Sequence, residues 1–207
     1  MGPFAFPSAE CRWFFSGSPS PDLHDWFMQS YTEAGLGQRT DYYLLGLPGM
    51  VNVKLREGRV EVKQRLSSRP GVTYARGQVG HLERWTKWSF PMESGAEVIS
   101  TLARHADTWL PVSKKRYLRT FILEGEEVTE TAPGSHPEKG CQAELTRLQV
   151  RSEEWYTLGL EAFGQRADLS GLLRSVAAFF LDRDFPVWLR QKDTMGYAEW
   201  LKTNYSP

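Results

Sequence analysis

The stretch from Met50 to Arg65, MVNVKLREGRVEVKQR, alternates apolar and charged residues on both sides of Glu57-Gly58. A two-residue turn with Gly in second place is the preference of a type I′ hairpin turn. Such a turn sets the register of its two strands. Arg56 then faces Arg59, Leu55 faces Val60, Lys54 faces Glu61, Val53 faces Val62, and Asn52 faces Lys63. The period of two sorts the side chains onto two faces. One face holds Val51, Val53, Leu55, Val60 and Val62. The other holds Asn52, Lys54, Arg56, Arg59, Glu61, Lys63 and Arg65, five bases against one acid. Like charges directly opposite one another cost stability. The charged face therefore has two readings. It is either the solvated side of a one-sided sheet or a basic surface or channel wall for a polyanion. Arg forks match phosphate oxygens and Lys adds a point charge.

A third strand bears on that choice. Ser113 to Arg119 places Lys114 and Arg116 on one side, with Lys115 and Arg119 on the other. If Lys114 and Arg116 join the charged face of the hairpin, the basic cluster spans strands far apart in sequence. Closing the sheet with that face inward makes a cationic tunnel. Further strands are expected at Glu10 to Phe15, Gln38 to Leu45, His81 to Phe90, Val112 to Leu123, Cys141 to Val150 and Trp155 to Phe163. Ser20-Pro21 reads as an N-cap and first helical residue, followed by Leu23, Trp26 and Phe27 at helical spacing. Leu169, Leu172, Leu173, Val176, Ala177 and Phe180 form an amphipathic helix capped by Asp168 or Ser170. Val98, Leu102 and Ala106 suggest a short helix, and Glu124 to Gly140 reads as a long surface connection. The apolar tail, with Pro186, Trp188, Tyr197, Trp200 and Leu201, is expected to pack back on the domain. About eight strands joined mostly as hairpins predict an α+β domain with an antiparallel sheet. So many strands need closure or a second layer to dispose of their edges.

Composition narrows the function classes. The 207 residues are 41% hydrophobic and 13% aromatic, with eight Trp, so a sizeable core is available. Lys+Arg and Asp+Glu both number 25, so no nucleic-acid or membrane partner is expected from global charge. No apolar run approaches the roughly 20 residues of a membrane span. The first ten residues carry neither the basic region nor the apolar run of a signal peptide. Cys11 and Cys141 are the only cysteines and read as two half-buried thiols. These features together predict a cytoplasmic protein. His24, His81, His105 and His136 show no metal-ligand spacing. No phosphate-binding Walker loop, dinucleotide fingerprint or nucleophile elbow is present. Trp85, Trp88 and Phe90 read as core or sheet cover before a base-stacking platform, and Glu144 reads equally as a tunnel or a surface acid.

The ordered set of strands resembles the CYTH superfamily, the triphosphate tunnel metalloenzymes. Arg39-Thr-Asp-Tyr-Tyr-Leu44 looks like that family's Asp-x-Tyr strand, and Val53-Lys-Leu-Arg56 like its strand of alternating bases. Val60-Glu-Val-Lys63 is similar to the next strand, which ends in lysine, and Lys114-Lys-Arg116 to the later Lys-x-Arg strand. Tyr156 to Gly164 is similar to the late Glu-x-Glu strand, and Gly196 to Leu201 to the C-terminal segment. The resemblance implies one domain over residues 1–207, an antiparallel eight-stranded β-barrel, or tunnel, with peripheral helices. It implies phosphate-binding roles for Lys54, Arg56, Lys63, Arg65, Lys114 and Arg116. It implies Glu10, Glu83 and Glu161 as ligands of Mg²⁺ or Mn²⁺. The departures are specific. The family's Glu-x-Glu-x-Lys strand reads Glu10-Cys-Arg-Trp-Phe14 here, and its late Glu-x-Glu reads Gly159-Leu-Glu161. An acid is missing from each strand while the bases remain.

Three functions follow as expectations. The first is binding of a phosphorylated small molecule or polyphosphate, such as triphosphate or a nucleotide, with weak or absent hydrolysis. The second is an active metal-dependent phosphohydrolase using Glu10, Glu83 and Glu161. The third is a barrel that binds an apolar molecule or a protein, with its basic face outside. The direction of the charged hairpin face discriminates them.

Overall fold

The computed structural model describes residues 5–29, 37–93, 97–98, 101, 105, 107–165, 168–182 and 184–206. In chain order its elements are β1 (Phe6–Ser16), α1 (Pro21–Met28), β2 (Gly37–Leu44), β3 (Val51–Arg56), β4 (Arg59–Thr73), β5 (Val79–Pro91), β6 (Trp109–Glu124), β7 (Glu127–Glu130), β8 (Gly140–Val150), β9 (Glu153–Phe163), α2 (Leu169–Phe180) and α3 (Tyr197–Tyr205). Strand order is β2-β3-β4-β5-β1-β9-β8-β6-β7, and β2 pairs with β6 as well as β3. Every pairing is antiparallel. Eight strands thus close into a barrel. The length of β6 allows this: Trp109–Arg116 pairs with β2, and Phe121–Glu124 pairs with the extra strand β7.

The hairpin has the register expected of its turn, from Arg56 opposite Arg59 to Asn52 opposite Lys63. Glu57 and Gly58 have φ of 48° and 71°, the positive values a type I′ turn requires. Its two faces differ from expectation in burial. On the apolar face Leu55 is buried, but Val51, Val53, Val60 and Val62 are only half-buried on the outside. Asn52 and Glu61, on the charged face, are buried. The reason lies in where the helices dock. The buried residues of α2 pack with Ala9, Cys11, Leu145, Leu158 and Leu160, on the outer face of β1, β8 and β9. That outer layer is the larger core, and α1 joins it through Leu23 and Phe27.

Both expected helix caps form. Leu23 N–H donates to Ser20 Oγ at 3.2 Å, and Gly171 N–H donates to Asp168 Oδ1 at 3.0 Å. Other expectations need correction. The Glu124 to Gly140 connection is not wholly loop, because β7 folds back on β6 within it. Cys11 and Cys141 are free and fully buried in the outer core rather than half-buried. The helix expected on Val98, Leu102 and Ala106 falls largely outside the described residues. Among the described residues no helix is long and apolar enough to cross a membrane.

A second, smaller core lies inside the barrel. Phe14, Tyr43, Leu110, Val112, Leu148 and Val150 point inward and pack against Trp200, Leu201 and Tyr205 of α3. The C-terminal helix therefore fills one end of the lumen. The rings of Phe14 and Trp200 stack with centroids 4.9 Å apart, and Trp155 meets Trp200 edge-on at 5.6 Å. The Tyr205 hydroxyl ties the helix end to the barrel by donating to Glu153 Oε2 at 2.8 Å.

Trp200 is fully buried. Trp200→Ala should lower the unfolding free energy by about 3–5 kcal/mol, the usual range for a buried Trp truncation. Met50→Ala, at an exposed position, should stay within about 0.5 kcal/mol of wild type. Urea unfolding checks both, and an effect of equal size at the two positions would show that α3 does not plug the barrel.

Candidate functional site

The parity of each strand carries the charged residues inward. On β1 the inward row is Ser8, Glu10, Arg12 and Phe14, because Ala9, Cys11 and Trp13 belong to the outer core. The same parity brings in Arg39, Asp41 and Tyr43 from β2, and Asn52, Lys54 and Arg56 from β3. It adds Glu61, Lys63 and Arg65 from β4 and Glu83, Trp85 and Lys87 from β5. From β6, β8 and β9 come Lys114 and Arg116, Glu144 and Thr146, and Thr157, Gly159 and Glu161. The cavity they line measures about 110 Å³. Tyr197 and Ala198 of α3 form part of its lining. A shallower cavity of about 290 Å³ shares Lys87 and Glu161 with it and lies against Phe6, His136 and Phe163.

The basic face of the hairpin thus lines the lumen. Lys54, Arg56, Lys63, Lys114 and Arg116, expected on phosphate-binding positions, all line the cavity together. Arg65 stands just outside it, where its Nη1 donates to Glu83 Oε1 at 2.6 Å and to Glu199 Oε2 at 3.0 Å. Glu10, Glu83 and Glu161 also point inward. Glu10 is in register with Glu83 on one side and Glu161 on the other. Trp85 is buried and lines the cavity, with Lys63 Nζ 5.7 Å from its ring centre. Glu144, ambiguous in sequence, is an interior acid.

The charges are arranged around shared carboxylates. Asp41, with no exposed surface, sits 3.0 Å from Arg39 Nε, 3.2 Å from Lys54 Nζ and 3.0 Å from Lys114 Nζ. Glu61 bridges Lys54 at 3.2 Å and Arg56 at 2.9 Å. Glu144 takes Arg12 at 2.8 Å and also binds Arg116. Lys63 contacts Glu10 directly and lies 3.9 Å from Glu161. Among the described residues eight cationic side chains line the cavity against five carboxylates, with Asp41 a sixth just behind them. Asn52 Nδ2 and the Tyr197 hydroxyl are buried without a hydrogen-bond partner among the described residues. A confined wall with surplus positive charge and spare donors attracts an oxyanion.

Burial opposes ionisation of Asp41, but Lys114, Lys54 and Arg39 outweigh it and hold its pKa well below the carboxylate range. The same crowding acts on the lysines. Burial pushes the pKa of Lys54 and Lys114 down to about 8, and Asp41 only partly compensates. Glu10 is raised by burial and by the adjoining Glu161.

The metal ligands implied by the resemblance do not fit a divalent ion as they stand. Glu10 accepts from Lys63 and Ser8, and Glu83 accepts from Arg65 and, at 3.0 Å, from Trp85 Nε1. Among the described residues no three His, Cys, Asp or Glu side chains are grouped to hold a metal. Arg39, Asp41, Tyr43, Asn52, Lys87 and Tyr197 were not singled out as site residues from sequence. The alternation of Arg39, Asp41 and Tyr43 on one strand face was the available signal. No family model matches the chain, and no curated protein matches it in sequence.

Because their folded-state pKa lies below the ordinary lysine value, Lys54 and Lys114 bind fewer protons folded than unfolded above about pH 8. Their contribution to stability therefore grows as pH rises from about 8 toward the lysine range near 10.4. NMR of ¹³C-methylated lysines should show two side chains titrating near pH 8, assigned through Lys54→Met and Lys114→Met. Titration of both in the ordinary lysine range would contradict the crowding described.

Proposed function

We propose that the barrel binds a phosphorylated polyanion, such as triphosphate, polyphosphate or a nucleotide, in its lumen, with hydrolysis weak or absent. The observation that carries this reading is the surplus of cations facing the cavity, eight against five carboxylates with Asp41 a sixth behind them, among the described residues. Arg39, Lys54 and Lys114 share the single charge of Asp41, Lys54 and Arg56 share Glu61, and Asn52 adds a spare donor. An entering phosphate chain would supply the missing negative charge. The inward direction of the basic face supports this reading over a barrel for an apolar ligand or a protein, which needs that face outside. The divergence from the CYTH pattern at Arg12 and Gly159 supports weak hydrolysis, because two carboxylate positions of that pattern are lost.

An active phosphohydrolase is the second reading, favoured by the in-register row of Glu83, Glu10 and Glu161. Phosphate release from triphosphate and ATP with Mg²⁺ or Mn²⁺ separates the two. Turnover within the usual enzyme range of about 1–1000 per second, lost on Glu161→Gln, would establish the second reading.

Binding has its own test. Tripolyphosphate or ATP should raise the melting temperature, because a ligand bound only by the folded state stabilises it. The shift should shrink as salt rises from about 0.05 to 0.5 M, since ionic contacts are screened. Lys54→Ala combined with Arg56→Ala should abolish it. A shift unchanged in that double variant would place the anion elsewhere.

A further inference from the structure

The seat of Arg12 in the lumen depends on a glycine. It lies opposite Gly159 across the β1–β9 pairing. A Cβ at residue 159 would stand 2.7 Å from Arg12 Cζ and 2.8–2.9 Å from both Nη atoms. Gly159 does not have a positive φ, so the absent side chain, and not backbone freedom, is what the site uses. The guanidinium is laid flat in that gap. Its Nη1 donates to Glu144 Oε1 at 2.8 Å and to Thr157 Oγ1 at 2.9 Å, and Cζ sits 5.1 Å from the ring centre of Tyr197. Two of the five N–H donors of a guanidinium are spent in this way. The group is held in place, and Arg12 lines the cavity.

Among the described residues Glu10, Glu61, Glu83 and Glu144 each contact a cation of this chain directly, and Glu161 lies 3.9 Å from Lys63. A divalent ion seated between Glu10 and Glu161 would have to displace Lys63 from both. It would also enter a lumen where Arg12, Arg116 and Lys87 repel it. A polyphosphate that arrives complexed to Mg²⁺ has lost two negative charges before meeting the surplus cations. The free polyanion keeps them.

We propose that the lumen takes its phosphorylated ligand as the free polyanion, with the Arg12 guanidinium seated on Gly159 as the fixed positive charge that makes a divalent ion dispensable. This rests on the polyanion reading above and specifies the ionic form that is recognised. Arg12 is a binding residue in this account, and Glu144 and Thr157 position it.

Calorimetric titration of the full chain with tripolyphosphate, in EDTA and in excess Mg²⁺, tests the proposal. Binding should persist in EDTA and weaken by about tenfold or more in Mg²⁺. Arg12→Gln should weaken binding in EDTA by about tenfold or more, the usual consequence of losing a hydrogen bond to a charged group. Arg12→Lys keeps the charge without the fork and should recover part of that loss. It also serves if the Gln variant does not fold. Binding seen only with Mg²⁺ would overturn the inference and leave the polyanion reading standing. Heat in neither buffer would overturn the polyanion reading itself. Equal affinity of wild type and a folded Arg12→Gln would remove Arg12 from the site.

Discussion

Charge burial is the constraint on which this barrel depends. Closing the sheet takes a row of Lys and Arg side chains out of bulk water, and an unpaired buried charge costs several kcal/mol. The chain meets that cost by sharing acids. Asp41 serves three cations, while Glu61 and Glu144 serve two each. Sharing leaves a local excess of positive charge, because one carboxylate cannot neutralise three partners. The compromise shows in Lys54 and Lys114, whose charged form is disfavoured even beside Asp41.

The interior also changes character along its axis. On β1 the inward row runs Ser8, Glu10, Arg12, Phe14, and on β8 it runs Gln142, Glu144, Thr146, Leu148, Val150. Both pass from polar to apolar toward the end filled by α3. β2 does the same, from Arg39 through Asp41 to Tyr43. The charged belt thus lies above an apolar floor. Tyr197 marks the border. Its ring stacks parallel to Tyr43, packs edge-on against Phe14 and lies 4.0 Å from Lys114 Nζ.

The sequence carried the hairpin completely, because a two-residue turn dictates pairing and the period of two then dictates faces. The eight-stranded closure was legible only as a need to dispose of edges, reinforced by the resemblance. Burial was not legible on β3 and β4. A face of valines reads as core in a one-sided sheet, yet in a barrel whose helices dock on β1, β8 and β9 the charged face of that hairpin is the enclosed one. The tail was readable as apolar, but nothing local in Tyr197 to Tyr205 says that it enters the barrel and not the outer layer. That choice is made by Phe14, Leu110 and Leu148, which are inward-facing apolar residues on three separate strands.

Arg12 shows most clearly why part of the site was hidden. Read alone, an arginine in place of an acid counts as the loss of a ligand. Its partners are Glu144, Thr157 and Gly159, more than 130 residues further along the chain. No periodicity links them to β1, and only the antiparallel β1–β9–β8 register brings them to one spot. Once assembled, the changes explain one another. An arginine in this row needs space opposite, which Gly159 provides, and an anionic anchor, which Glu144 provides through the next strand. Phe14, one inward step further, can be apolar because α3 fills the lumen at that level. Arg12 and Gly159 are therefore parts of one coordinated arrangement, in which the seat of a cation on one strand is made by the next two strands of the sheet.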